Sequence, residues 1–245
     1  MKRGKKSQTT IFIILAIILV AFLLLFFLTK KDVLDLTALK VNPQVKPIYS
    51  FTQSCVEQTA QNAIQHIGEN GGYYISPNNS LYNGIPIYFD KGKTSVPTKE
   101  QIEKELSKYV DEMLFFCTKN FAEFQDFEVK QDKIKTTTQI INNKVIFKIN
   151  YPLSILKEGN SYTFNNFETE IPVRLSIVQE VAEKMIQEQK EFPEDLCFTC
   201  IEDLAIKNQV VIKMIDFQDS VIFTIVDINS QINTGDFAFY FANKY

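Results

Sequence analysis

An uninterrupted apolar run near the N-terminus constrains the fold of this chain more than any other feature. Residues 11–28, IFIILAIILVAFLLLFFL, contain no polar side chain. As a helix they extend about 27 Å, close to the hydrocarbon thickness of a bilayer, so we predict a transmembrane helix. Bulky side chains and then Lys30 and Lys31 follow the run. A cleavable signal has a shorter apolar region and small residues at its cleavage site, so we expect this segment to be retained.

The distribution of charge predicts the orientation and excludes one class of partner. The basic head, residues 1–10, is expected to stay in the cytoplasm under the positive-inside rule, which places the C-terminal part outside the cell membrane. Beyond Lys31 the chain holds 20 of its 26 Lys and Arg and all 29 Asp and Glu, a net charge of −9, and its only arginine there is Arg174. We therefore expect the lipid bilayer as a partner and no binding of nucleic acid.

These boundaries define the expected domain organisation. Residues 1–10 are the head and residues 11–28 the transmembrane helix, and residues 29–47 form a stalk or linker. Residues 48–245 form an extracytoplasmic domain, and the length of this part allows one large core or two small ones. If there are two subdomains, we expect the break near residues 125–160.

Hydrophobic periodicity predicts an α+β fold for the extracytoplasmic domain. Apolar side chains at helical spacing indicate amphipathic helices, and alternating β-branched and aromatic residues indicate antiparallel hairpins, one of them turning at Asn142-Asn143. No regular βαβ repeat is present. The expected helices are at about 50–68, 97–121 and 172–190. Ser50 or Thr52 can cap the first, and Thr98 with Gln101 forms a capping-box pattern at the start of the second. A short segment around 193–208 is helical or irregular. Three final strands at 209–217, 220–229 and 236–245 form a meander, the last with Phe237, Phe239 and Phe241 facing inward.

Four cysteines are the strongest candidates for covalent structure. Disulfides persist outside the cytoplasm, and Cys55, Cys117, Cys197 and Cys200 allow three pairings. Cys55 and Cys117 lie on the predicted buried faces of two amphipathic helices, so we favour a bond between them. Cys197 and Cys200 then form a local loop or a free pair.

The CFTC sequence has two further interpretations. A thioredoxin-like redox motif requires Cys197 at a helix N-terminus after a strand, and the preceding FPEDL brings two carboxylates that raise a thiol pKa. A zinc site requires two more ligands at a suitable spacing, and the sequence offers none. We therefore expect neither a metal ion nor a cofactor.

No catalytic constellation is evident, so we do not expect an enzyme. His66 is the only histidine, and its place near a helix end predicts a packing role. Asn78 begins the single Asn-x-Ser/Thr sequence, NNS, which is a glycosylation acceptor or an Asn-rich turn.

The segments KSQTTIFIILAIILVAF, SCVEQTA and GGYY together resemble a group of membrane-anchored surface proteins of small archaea with reduced genomes. The head is also similar to archaeal type IV pilin precursors. That resemblance implies cleavage by a prepilin peptidase near Ser7-Gln8 and assembly of the apolar helix with copies of itself. It implies no enzymatic activity.

Three functional hypotheses follow. The leading one is a single-pass cell-surface protein with a structural, adhesive or pilin-like role, with copies of itself or other surface proteins as partners. The alternative is an extracytoplasmic ligand- or partner-binding sensory module with an aromatic pocket around Tyr73, Tyr74, Tyr82 and Tyr88. The third is a thiol oxidoreductase that uses the CFTC pair.

Overall fold

The computed structural model describes residue 19 and residues 41–81, 83–233 and 235–245. Within these ranges, helices and two β-sheets confirm the α+β prediction. The predicted head, most of the transmembrane segment, residues 29–40 of the stalk and the predicted cleavage site at Ser7-Gln8 lie outside the described residues. Among the residues that are described, none of the helices combines the length and the apolar character needed to cross a bilayer.

The helices and strands described from Pro43 onward belong to one compact unit, Pro43–Tyr245. In chain order they are α1 (Lys46–Glu69), β1 (Ile87–Asp90), β2 (Lys93–Thr94), α2 (Lys99–Thr118), a 3₁₀ turn (Lys119–Phe121), β3 (Glu128–Gln131), β4 (Lys135–Ile141), β5 (Lys144–Lys157), β6 (Asn160–Ile171), α3 (Leu175–Glu191), α4 (Phe198–Asn208), β7 (Val211–Phe217), β8 (Ser220–Ile232) and β9 (Gly235–Lys244).

Helix α1 begins four residues before its predicted start. Pro47 lies in the first turn, where its fixed φ favours helix initiation and its missing N–H costs nothing. Thr52, expected to cap the helix, is instead buried inside it and donates a hydrogen bond to Ile48 O at 2.8 Å. The prediction of a cap at Ser50 or Thr52 was therefore wrong.

Helix α2 has the predicted capping box at its start. The Thr98 N–H donates to Gln101 Oε1 at 2.7 Å, and the Gln101 N–H donates to Thr98 Oγ1 at 3.3 Å. The α-helix ends at Thr118, before the predicted Phe121, because residues 119–121 all adopt positive φ angles.

The first sheet has the strand order β2-β1-β9-β8-β7. Strands β7, β8 and β9 form the predicted antiparallel meander, with Phe237, Phe239 and Phe241 buried on one face. Strand β1 pairs in parallel with β9, so Ile87 lies opposite Ala242. The expectation of antiparallel hairpins alone was wrong for this pair.

The second sheet is built on β5. Strand β6 pairs along one edge of β5, and β4 and β3 pair in succession along the other. The predicted turn at Asn142-Asn143 joins β4 to β5. An unpredicted turn at Glu158-Gly159, where both φ angles are positive, joins β5 to β6. Residues 125–160, where a subdomain break was considered, hold three strands of this one sheet.

Helix α1 connects the two sheets. It packs against α2 and contacts both β6 of the second sheet and β9 of the first. Helix α3 contacts β1 and β8 of the first sheet, β4 of the second, and α4. The α3–α4 loop therefore lies beside the first sheet. The CFTC sequence starts at the last residue of this loop, Cys197, and continues into the first turn of α4.

Candidate functional site

The structure joins the four cysteines into two disulfides. Cys55 of α1 bonds to Cys117 near the end of α2, with the Cα atoms 5.6 Å apart and a sequence separation of 62. Cys197 bonds to Cys200, with the Cα atoms 5.2 Å apart. The first bond is the one favoured in the sequence analysis, and the second is one of the two alternatives left open there for Cys197 and Cys200. One bond links the two long helices, and the other closes a loop of four residues.

The Cys197–Cys200 disulfide lies at the N-terminus of α4. Cys197 is the N-cap residue, and its Sγ accepts the N–H of Cys200 at 3.3 Å. The preceding element is α3 rather than a strand, so the site meets only half of the structural requirement stated for a thioredoxin-like motif. Both cysteines are half-buried, and Phe198 between them is 63 % exposed. The disulfide is therefore accessible from solvent.

A cavity of about 10 Å³, the size of one water molecule, adjoins this disulfide. Cys197, Cys200 and Asn243 are among the residues that line it. Asn243 is 2 % exposed, and its Oδ1 atom has no hydrogen-bond partner in the described part of the chain. A buried acceptor without a donor in the protein is costly, and such an acceptor is explained by a bound water or ion, by strain, or by a redox or catalytic role.

The hydrogen bonds of Gln189 determine which atom of Asn243 is left without a partner. Gln189 Nε2 donates to Phe192 O at 2.8 Å and to Asp195 O at 3.1 Å, so its Oε1 must be the acceptor on the other side. That oxygen accepts from Tyr245 Oη at 2.7 Å and from Asn243 Nδ2 at 3.4 Å. The Oδ1 atom of Asn243 is consequently the end of the amide without a donor.

Helix α2 covers the outer edge of β4 with carboxylates. Glu103 Oε1 accepts the N–H of Ile140 at 2.8 Å, and Asp111 Oδ1 accepts the N–H of Thr136 at 2.6 Å. Four residues of a helix advance about 6 Å and two residues of a strand about 6.8 Å. Side chains four positions apart on α2 therefore lie opposite residues two positions apart on β4. This arrangement blocks an edge that would otherwise pair with another strand.

An open groove of about 710 Å³ runs along this helix–strand contact. In its middle Ser107 Oγ donates to Thr138 Oγ1 at 2.9 Å. Burial raises the pKa of Asp111, and hydrogen bonds from Thr136 only partly oppose that effect. Because two of its acidic groups, Glu103 and Asp111, accept backbone N–H groups of β4, we assign this groove a structural role.

Two substitutions at Asp111 test that role. Asp111→Leu leaves the Thr136 N–H without an acceptor, so we expect a loss of about 1–3 kcal/mol in the free energy of unfolding. Asp111→Asn keeps an acceptor oxygen and removes a partly desolvated charge, so we expect a change below about 0.5 kcal/mol at pH 7. Urea unfolding of both variants measures the difference. Equal losses would contradict the edge-covering role.

A second buried polar cluster ties α3, α4 and β8 together. Arg174 Nε donates to Asp227 Oδ2 at 3.0 Å, and Arg174 also donates to the carbonyl oxygens of Asn208 and Gln209 at 3.3 and 3.2 Å. Burial opposes ionisation of Asp227, but hydrogen bonds from Arg174 and Ser230 outweigh it and lower the pKa of Asp227. The cluster holds the C-terminal end of α4 in place.

The tyrosines proposed to line a pocket take different positions. Tyr88 is 1 % exposed, stacks on Phe241 with ring centroids 4.8 Å apart, and donates to Gly71 O at 2.7 Å. Tyr74 donates to Glu112 Oε2 at 3.0 Å, and Tyr73 lines a separate groove with residues of α3. Tyr82 lies outside the described residues. The ring of Tyr88 thus packs in the core and is not available to a ligand.

His66 packs at the end of α1, and Asn78 is exposed in a loop. His66 Nε2 lies 2.9 Å from Tyr74 O, and the ring packs against Tyr74 and Tyr109. This is a packing role at the end of α1. Asn78 is exposed in the loop between α1 and β1, where its side chain is accessible.

In residues 41–81, 83–233 and 235–245, no group of three or more His, Cys, Asp or Glu side chains is placed to hold a metal ion. Comparison of the chain with models of protein families, with curated proteins and with solved structures gives no match. The function must therefore be argued from the residues themselves.

Proposed function

We propose that the chain is a single-pass, membrane-anchored protein whose extracytoplasmic domain has a structural or adhesive role at the cell surface. The observation that carries the proposal is the basic head and apolar run followed by a domain with two disulfides. The first feature favours an N-in anchor, and disulfides persist in oxidising compartments. Exposed apolar side chains on β7, including Val211, Ile215 and Phe217, are consistent with contact to other macromolecules.

A pilin-like subunit is the second candidate, favoured by the resemblance of the head to pilin precursors. The two candidates differ at the N-terminus. A tether keeps the basic head, whereas a filament subunit loses it at Ser7-Gln8 and packs through its apolar helix. The acidic domain is the same in both.

Mass analysis of the native N-terminus, combined with protease treatment of intact cells, tests both candidates. We expect membrane-extracted protein to begin at or beside Met1 and the domain to be digested from outside the cell. A mature N-terminus at Gln8 in sheared filaments would replace the tether with the pilin-like subunit. Protection of the domain from external protease, with digestion after lysis, would contradict both.

A further inference from the structure

We propose that the Cys197–Cys200 disulfide is a redox centre that undergoes thiol–disulfide exchange with external dithiols. This activity is independent of the proposed structural role, since it rests on the residues around the disulfide alone. Three features carry it: the position of Cys197 at the start of α4, the accessibility of the pair, and the orphaned acceptor of Asn243 in the adjoining cavity.

The start of α4 stabilises a thiolate at Cys197. The preceding carboxylates of Glu194 and Asp195 oppose this effect, but both are exposed and screened by solvent, whereas the Cys200 N–H contacts the sulfur directly. Glu188 of α3 lines the adjoining cavity and acts in the same direction as these carboxylates. Helix α4 runs for 11 residues, and unsatisfied N–H groups at a helix N-terminus lower the pKa of a cysteine placed there. The Cys200 N–H already points at Cys197 Sγ, and Thr199 Oγ1 lies 3.6 Å from the same sulfur. After reduction, both groups donate to the Cys197 thiolate.

Asn243 favours the reduced state of the disulfide through Cys200. Neither sulfur of a disulfide carries a hydrogen, so the closed pair offers nothing to Asn243 Oδ1, whereas a cysteine thiol is a donor. Cys200 and Asn243 line the same cavity. Reduction therefore supplies the donor that the buried amide lacks, and this contribution makes the disulfide easier to reduce.

The exchange proceeds in two balanced steps. A thiolate of the external dithiol attacks Cys197 Sγ, the Cys197–Cys200 bond breaks, and its electron pair passes to Cys200 Sγ, which takes up a proton and donates to Asn243. The second thiolate of the dithiol then attacks the dithiol sulfur that is bonded to Cys197. This step closes the disulfide of the dithiol and releases Cys197 as a thiolate. The dithiol is oxidised to a disulfide, and the protein pair gains two electrons. Exposed Phe198 offers an apolar contact beside the attacked sulfur.

The two disulfides of one chain provide the test and its internal reference. Full-length protein is incubated with graded dithiothreitol at pH 7, quenched with acid and alkylated, and the labelling of each cysteine is measured by mass spectrometry. We expect Cys197 and Cys200 to be reduced at about tenfold less dithiothreitol than Cys55 and Cys117. Equal requirements, or earlier opening of Cys55–Cys117, would overturn the proposal.

Two further measurements separate a redox centre from a merely exposed bond. In Asn243→Leu we expect about fivefold more dithiothreitol for half-reduction of Cys197–Cys200, with Cys55–Cys117 unchanged as a check on folding. In wild-type protein reduced only at this pair, we expect the alkylation rate of Cys197 to titrate well below the usual thiol pKa of about 8.5. An ordinary titration at Cys197 contradicts the mechanism even if Asn243→Leu does not fold.

Discussion

Removal of the Cys55–Cys117 bond by the double substitution Cys55→Ala and Cys117→Ala is expected to lower the free energy of unfolding by about 4 kcal/mol. The bond joins residues 62 positions apart, so its loss returns a large amount of conformational freedom to the unfolded chain. It also releases the end of α2 from α1. Equilibrium unfolding of the full-length chain in urea measures the change.

The second disulfide is the matched control for this prediction. Cys197 and Cys200 are three positions apart, and in the same chain-entropy description so short a loop contributes about 2 kcal/mol. The free energy of unfolding of the variant with Cys197→Ala and Cys200→Ala should therefore fall by roughly half as much as that of the Cys55→Ala and Cys117→Ala variant. Equal losses would mean that native-state contacts, not loop length, determine the contribution of each bond. The smaller loss also explains how Cys197–Cys200 can open while the domain stays folded.

Local patterns were sufficient to predict α1, α2 and α3 to within a few residues, the terminal meander and the Cys55–Cys117 bond. The capping box at Thr98 and Gln101 and the apolar stripe that places Cys55 inward are properties of a few neighbouring residues. Alternation in β9 likewise predicts that Phe237, Phe239 and Phe241 face inward. Such signals need no knowledge of the rest of the chain.

Strand β6 and the β1–β9 pair escaped prediction because their stability comes from distant partners. The sequence of β6, NSYTFNNFETEI, is rich in Asn and Glu, which disfavour strands. The local signals for a strand were the turn at Glu158-Gly159 and the aromatic and β-branched residues that lie between the Asn and Glu positions, and pairing along most of β5 overrides the unfavourable residues. Parallel pairing of β1 with the last strand has no local signal at all.

The candidate site was only half predictable for the same reason. The CFTC sequence drew attention to Cys197 and Cys200, but the sequence left open whether the surrounding residues are helical or irregular. Asn243 lies more than forty residues away, at the end of β9, and no spacing rule connects it to the cysteines. The amide of Asn243 is oriented by its hydrogen bond to Gln189, and this bond forms only when α3 and β9 pack together.

Substitution of Arg174 by Met is expected to lower the free energy of unfolding by about 3–5 kcal/mol at pH 7, because it leaves a buried carboxylate without its cation. Asp227 is 0 % exposed, and Arg174 is its ion-pair partner. Arg174→Lys retains the charge but loses the paired donors and the contacts to Asn208 O and Gln209 O, so we expect an intermediate loss. Adding Asp227→Asn to Arg174→Met removes the unpaired charge, and it should recover part of the stability.

The pH dependence distinguishes loss of an ion pair from loss of packing. The pKa of Asp227 is lowered in the folded chain, so the stabilisation from the pair is complete above the ordinary Asp pKa of about 3.9 and is lost as the pH falls through the lower folded value. In Arg174→Met burial acts on Asp227 without its cation, and the pKa of Asp227 rises above the ordinary value. The deficit of the variant relative to wild type should therefore be largest near pH 7 and shrink below about pH 4. Unfolding curves at pH 7 and pH 3.5 measure this change, and a deficit that is independent of pH would show that Arg174 acts through packing alone.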